Sequence, residues 1–425
     1  MRDIKVRLMT GSTLLALAAM PAFGQEDFPD PAPGADVVVI DQVILGNVLA
    51  TMDVVIADTA PHAASNATAT GNIASGESEN NDIDFDATQT QDGTVDAHTT
   101  MTGGSVYDGG NGASTITTAY GNSATSSTSN GSTFHYVTQE SNAAVSASST
   151  IDLLVVDDVS ATTTAAANVS QHTNTYGENR GFQTQTGNAD VSAANVVSVD
   201  TNTGAAAFGA VATGNSHYAS GYTTTSYTGA VQTMADGTRV NAYGEANVAY
   251  ASNVALSATA AGNSTEVENQ WGYATLGRDG SEVSQYNGAD IDADTSLTLT
   301  NWTGSSGSTS YGVGNSALIS NIGSDTGLYA IQNNQGTVQA TASFNGGVSD
   351  GSVGYASATA IGNAATASLC TVCGQEATVY GSTSQYNDGN VIATGYVNSG
   401  LGGYASGAAS AIGNSSTYQS TTIGD

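Results

Sequence analysis

Several stretches of the chain alternate small or polar residues with apolar ones at a period of two: NADVSAANVVSV from Asn188, GADIDADTSLTL from Gly288, GTVQATASF from Gly336 and GNVIATGYV from Gly389. This alternation sends successive side chains to opposite faces, so each stretch predicts a β-strand with one covered face. Gly and Asn stand between the strands, and both tolerate the positive φ of tight turns. Pro would remove a ladder donor, and it is confined to the start of the chain: Pro21, Pro29, Pro31, Pro33 and Pro61, with none in the 364 residues that follow. Thr, Val and Tyr, which favour strands, are abundant, and helix formers such as Lys, Arg and Leu are scarce.

The pattern repeats. A small-residue stretch closes on a Gly-Asn pair at Asn72 (ATATGN), Asn122 (TTAYGN), Asn215 (GAVATGN), Asn263 (SATAAGN), Asn315 (SYGVGN), Asn363 (SATAIGN) and Asn414 (ASAIGN). A variant copy, TTAAAN, ends at Asn168. The steps between copies run from 46 to 52 residues, a period of about 49. A second landmark keeps the same period: Gln42, Gln89, Gln139, Gln185, Gln232, Gln285, Gln332 and Gln385. From the Gly of each pair to the next Gln the interval is 18 residues in five cases and 23 in two, which predicts a five-residue loop insertion in those two units.

One such unit cannot bury a core alone, but eight stacked units can. The expected fold is therefore all-β: an elongated β-solenoid or β-helix-like repeat protein of about eight units of about 49 residues. If each unit makes two coils, a coil holds about 24 residues. Stacking at the strand spacing would lay the eight Gln and the eight Asn of the landmarks over one another as amide ladders; the other reading of these residues is turn and surface.

Charge narrows the function. The formal net charge is -31, and all the Lys lies in the first residues. Arg2, Lys5 and Arg7, the apolar run from Leu14 to Ala19 and the small-x-small site Ala22-Phe23-Gly24 read as a secretory signal over residues 1–24. Residues 25–35 form a Pro-rich leader, and the repetitive domain spans 36–425. Without the signal, 36 acids face only Arg180, Arg239 and Arg278, a net charge near -33. That excludes nucleic acid and anionic membrane surfaces as partners. Metal ions, cationic sugars and cationic proteins remain. The final residues, Thr421 to Asp425, continue a repeat, so no autotransporter barrel is expected and a separate outer-membrane protein must move or hold the chain.

Candidate chemistry is sparse. Cys370 and Cys373 (CTVC) read in an exported chain as a local disulfide stapling one turn. A redox motif would need a strand-to-helix context and a metal site two more ligands. His62, His98, His135, His172 and His217 stand in no metal-ligand spacing and are expected on the solvated surface. No catalytic site and no cofactor is expected. Ca²⁺ is the one ion the acids suggest: Asp82, Asp84 and Asp86, and Asp290, Asp292 and Asp294, each place like charges on one strand face. The other reading is a solvated acidic face. The 19 Tyr suit sugar stacking as well as ordinary cross-strand packing.

The half-repeat QTGNADV, from Gln185 to Val191, resembles curli-type repeats, which pair Gln and Asn in stacked β-arches. The whole chain is similar to the holdfast anchor protein family HfaD of stalked alphaproteobacteria. The shared features are the signal, the acidic Ala/Gly/Ser/Thr/Asn-rich body and the repeated A-x-A-x-G-N stretch. The resemblance implies a secreted, outer-membrane-associated cell-surface protein that attaches an adhesive polysaccharide. It also implies outer-membrane anchor or secretion partners: a small curlin-like companion and a lipoprotein resembling the curli pore. The alternative is a functional-amyloid-type fibre subunit that self-associates through open solenoid ends. An ice- or mineral-binding surface, suggested by runs such as Thr223 to Thr225, ranks last.

Overall fold

The computed structural model describes residues 4–10, 34–107, 112–278, 282–372 and 376–423. The apolar run, cleavage site and most of the leader expected within 11–33 lie outside the described residues. Among the described residues all regular structure is strand, paired in parallel. Residues Ile4–Thr10 add one strand to the edge of Asp36–Ile44.

From Asp36 the chain winds through eight coils, each made of three strand rows. A glutamine row begins with Asp36–Ile44 and ends with Val379–Asn387. A valine row runs from Val48–Ala60 to Val391–Ser399, and an asparagine row from Ala63–Glu79 to Tyr404–Ile423. The valine row forms an eight-stranded sheet. The other two rows merge into one sheet because Val159–Gly187 and Ala206–Met234 each run from the asparagine row of one coil into the glutamine row of the next. Tyr176 and Thr223, at positive φ, turn these long strands through the corner.

Gln42 pairs in register with Gln89, Gln89 with Gln139, and so on to Gln332 with Gln385. One repeat unit is therefore one coil of 46–53 residues, not two coils of about 24. The reason lies at the Gly-Asn pair. In Ala63–Glu79 the buried residues are Ala63, Ser65, Ala67 and Ala69, then Asn72, Ala74 and Ser78, so the alternation changes parity at Gly71. One strand thus turns its first half toward the valine row and its second half toward the glutamine row, and a single coil encloses two strips of core. The main strip, including Val95, Met101, Ile151, Val197, Leu256, Leu297 and Phe344, runs the length of the stack. The second holds Ile83, Phe85 and Val137 near one end and Val267, Leu276, Ile319 and Leu328 near the other.

Glycine holds the parity switch in seven of the eight coils, with Ala167 in the other, because the coils touch there. A Cβ on Gly71, Gly121, Gly214, Gly262, Gly314 or Gly362 would stand under 3.0 Å from the carbonyl oxygen of the equivalent residue in the next coil. Five extra residues interrupt the register between Leu276 and Ser284, and five more fall between Cys370 and Val379, matching the two long intervals.

Candidate functional site

The amides of the landmarks form two rows between the core strips. In the glutamine row each Nε2 donates one coil toward the N-terminus: Gln89 to Gln42, Gln139 to Gln89, Gln185 to Gln139, Gln232 to Gln185, Gln285 to Gln232, Gln332 to Gln285 and Gln385 to Gln332, at 2.7–2.8 Å. The asparagine row runs the other way, from Asn72 through Asn122, Asn168, Asn215, Asn263, Asn315 and Asn363 to Asn414, with each Nδ2 donating to the next Oδ1 at 2.7–2.8 Å. The rows are also laced together. Gln139 Nε2 donates to Val169 O, and Asn168 Nδ2 to Thr186 O. Buried amides that satisfy each other in this way hold register, because a slip would leave them unpaired.

Three histidines expected at the surface are in the interior. His135, His172 and His217 are fully buried and stack with ring centroids 5.0 Å apart, His135 also lying 5.2 Å from the Phe85 ring. They fill the second core strip between its two apolar clusters. His135 is held by the Ser126 and Ser170 hydroxyls, each at 2.8 Å, whereas both ring nitrogens of His172 lack a hydrogen-bond partner. Burial pushes the His172 pKa down to about 3. Burial also lowers those of His135 and His217 well below the ordinary value, and the neighbouring imidazoles add to it. At neutral pH the stack is uncharged.

The acids have several roles. Asp82 accepts the Ser132 N–H at 2.6 Å and Asp290 the Thr337 N–H at 3.0 Å, so each carboxylate ties a turn to the next coil. Asp292 pairs with Arg239 at 2.8 Å, and burial raises its pKa, with Arg239 opposing. Asp84 and Asp86 share the outer face of the glutamine row; burial raises both, helped by the Asp86 charge at Asp84 and the Asp41 charge at Asp86. Asp294 lies on the outer face of the valine row with Asp292. Among the described residues no group of three or more His, Cys, Asp or Glu is arranged to hold a metal ion. Cys370 lies in the asparagine-row strand Val353–Val372, and its expected disulfide partner Cys373 lies outside the described residues.

The feature with the chemistry of a ligand surface is an aromatic strip on the outside of the glutamine row. Arg180 lies between two rings, its Cζ 6.0 Å from the Phe134 centroid and 5.6 Å from that of Tyr227, while its Nη2 pairs with Glu178 at 2.6 Å. Tyr227 continues to Tyr273 at 5.6 Å, Tyr273 to Tyr380 at 6.4 Å and Tyr380 to Tyr329 at 6.2 Å. The Phe182 ring covers Gly229, and the Tyr380 ring covers Gly327. At the adjacent corner Tyr176 and Tyr222 meet edge to face, with Trp271 on the same corner, and all three are exposed. Burial raises the Tyr227 pKa, and burial with the Asp84 charge pushes Tyr136 up to about 12, so both phenols remain O–H donors at neutral pH. Flat apolar rings with hydroxyls at their rims and an Arg–Glu pair among them match a sugar polymer, which offers C–H faces and hydroxyls. The signal for this strip was in the sequence: Phe134, Arg180, Tyr227 and Tyr380 each stand five residues before their Gln.

The family model for holdfast attachment protein D matches residues 57–337, well over half of the chain. No curated protein and no solved structure matches.

Proposed function

The chain belongs to the holdfast attachment protein D family, and from that premise we propose that it anchors an adhesive polysaccharide to the outer membrane. Family membership makes it a cell-surface, adhesion-related protein with a structural role. The observation that supports the finer reading is the aromatic strip, where coils three to eight present rings or Arg180 on one lateral face. The polymer would lie along this face, stacking on the rings, while the ladders keep the face straight. The polar and acidic remainder of the surface would meet the outer-membrane partners, a curlin-like companion and a curli-pore-like lipoprotein, after removal of a signal peptide.

The test is a gene deletion complemented with the parent gene or with a Phe134→Ala/Phe182→Ala/Tyr227→Ala variant. The variant is expected to reach the cell surface at parent level yet shed adhesive material into the medium as the deletion does. Retention of the adhesive by the variant would move the binding surface elsewhere.

A further inference from the structure

The corner where the asparagine row of one coil passes into the glutamine row of the next holds one residue at positive φ in six successive coils: Asn80, Asn130, Tyr176, Thr223, Trp271 and Gly323. The strands leading to it pair in register, so the six stand in one column. Positive φ crowds a Cβ against the backbone, and Gly and Asn bear it best. The first two coils show the ordinary solution, with Asn130 Nδ2 donating to Asn80 Oδ1 at 3.1 Å. Among the described residues the one other non-glycine at positive φ is again an asparagine, Asn253. Bulky and β-branched residues are outliers in this conformation, yet Tyr176, Thr223 and Trp271 occupy it in three consecutive coils.

Packing does not account for them. Tyr176 and Trp271 are nearly half exposed, and so is Tyr222, which stands just before Thr223 and supplies that coil's ring. The Tyr176 and Tyr222 rings meet edge to face at 6.0 Å. Strain held at exposed side chains, with Asn at hand in neighbouring coils, points to contact with something outside the chain.

We infer that Tyr176, Tyr222 and Trp271 form a second carbohydrate contact, holding sugar rings of the same polymer where it leaves the aromatic strip and turns the corner. The inference rests on the anchoring reading and adds a site to it. Continuity with the strip names the occupant. Tyr176 stands four residues before Arg180 on Val159–Gly187, Tyr222 five before Tyr227 on Ala206–Met234, and Trp271 two before Tyr273. Three coils thus carry a group of the strip and a ring at the corner beside it. The column itself is uncharged, which suits the C–H face of a pyranose. Three coils span about 10 Å, the reach of a disaccharide. Three half-exposed rings offer roughly 300 Å², well short of the ~800 Å² per partner of a stable protein interface.

The two tryptophans make the corner visible: Trp271 is 45% exposed and Trp302 is 2% exposed. Titration of the full chain with a partly deacetylated amino-sugar polymer should quench and blue-shift the Trp271 emission. Trp271→Asn and Tyr176→Asn install the residue of the first two coils. Each should melt about 1–2 °C above the parent and, by calorimetry, bind about tenfold more weakly at low and high salt alike. Thr223→Asn relieves the same strain without removing a ring, so melting should rise while affinity stays. A parent that does not bind the polymer overturns the anchoring reading and this contact together. A parent that binds, and weakens with Phe134→Ala/Tyr227→Ala, but whose emission does not move or whose Asn variants bind as it does, overturns the corner contact alone. Asn variants that melt below the parent would make the rings structural and overturn it as well.

Discussion

Gln185 Nε2 donates to Gln139 Oε1 at 2.8 Å and also to Ser216 O at 2.9 Å, so a single buried amide joins two coils and two strand rows. Gln185→Leu takes the Gln185 donor from Gln139 Oε1 and the Ser216 carbonyl and removes one of the two acceptors of Gln232 Nε2, leaving Ser264 O. Losses of this kind leave buried groups unpaired, and the expected destabilisation is about 2–4 kcal/mol. Gln385→Leu, at the solvated last coil, should cost less than about 1 kcal/mol. Urea denaturation of the two variants measures the difference.

Gly314→Ala tests the contact between coils at the parity switch. Its Cβ would press on the Gly362 carbonyl and the Asn334 amide, neither free to withdraw without breaking a ladder bond. A loss of about 1–3 kcal/mol is expected. Ala167 is the one natural exception at this position, so Ala167→Gly should be close to neutral, and equal melting shifts for the two substitutions would argue against the steric explanation.

The histidine stack makes stability fall in acid. Unfolded His takes up a proton near pH 6.5, whereas buried His172 resists until about pH 3. The folded state therefore binds fewer protons in that window, and stability is lost as pH falls through it. At pH 4.5 the loss from one such group is about 2–3 kcal/mol. Asp84, Asp86, Glu266 and Asp292, with raised pKa values, act with the opposite sign. His172→Leu isolates the imidazole: its melting temperature should fall less than the parent's between pH 6.5 and 4.5.

How much of this was legible in the sequence differs by feature. The repeat length was, because the distance from Gly-Asn to the next Gln stays at 18 residues wherever no insertion intervenes. The number of coils per unit was not, because a strand that changes parity at Gly71 looks, in alternation alone, like two strands. The burial of the histidines, expected at the surface, was not legible because they sit at different offsets: His135 four before Gln139, His172 four after Asn168, His217 two after Asn215. Only the winding brings these offsets onto one axis. The aromatic strip does share an offset, but Asp84 and Gly327 occupy the same place in other coils and dilute it.

Salt should separate the contribution of the acids from that of the rings. If the polysaccharide carries free amino groups, the acids supply long-range attraction that salt screens over about 8–10 Å, while the rings supply contact. Affinity for a partly deacetylated amino-sugar polymer should then fall with added salt and with N-acetylation. Phe134→Ala with Tyr227→Ala should weaken binding about tenfold at every salt concentration, because about 1.4 kcal/mol of stacking is lost and stacking is not screened. Binding spread over coils three to eight is multivalent, so the fragment from Gln185 to Asn263 should bind far more weakly than the full chain. Titration of the full chain by calorimetry at low and high salt, with the fragment's circular dichroism checked beside it, measures both effects, and salt-independent affinity would place the binding energy in the rings alone.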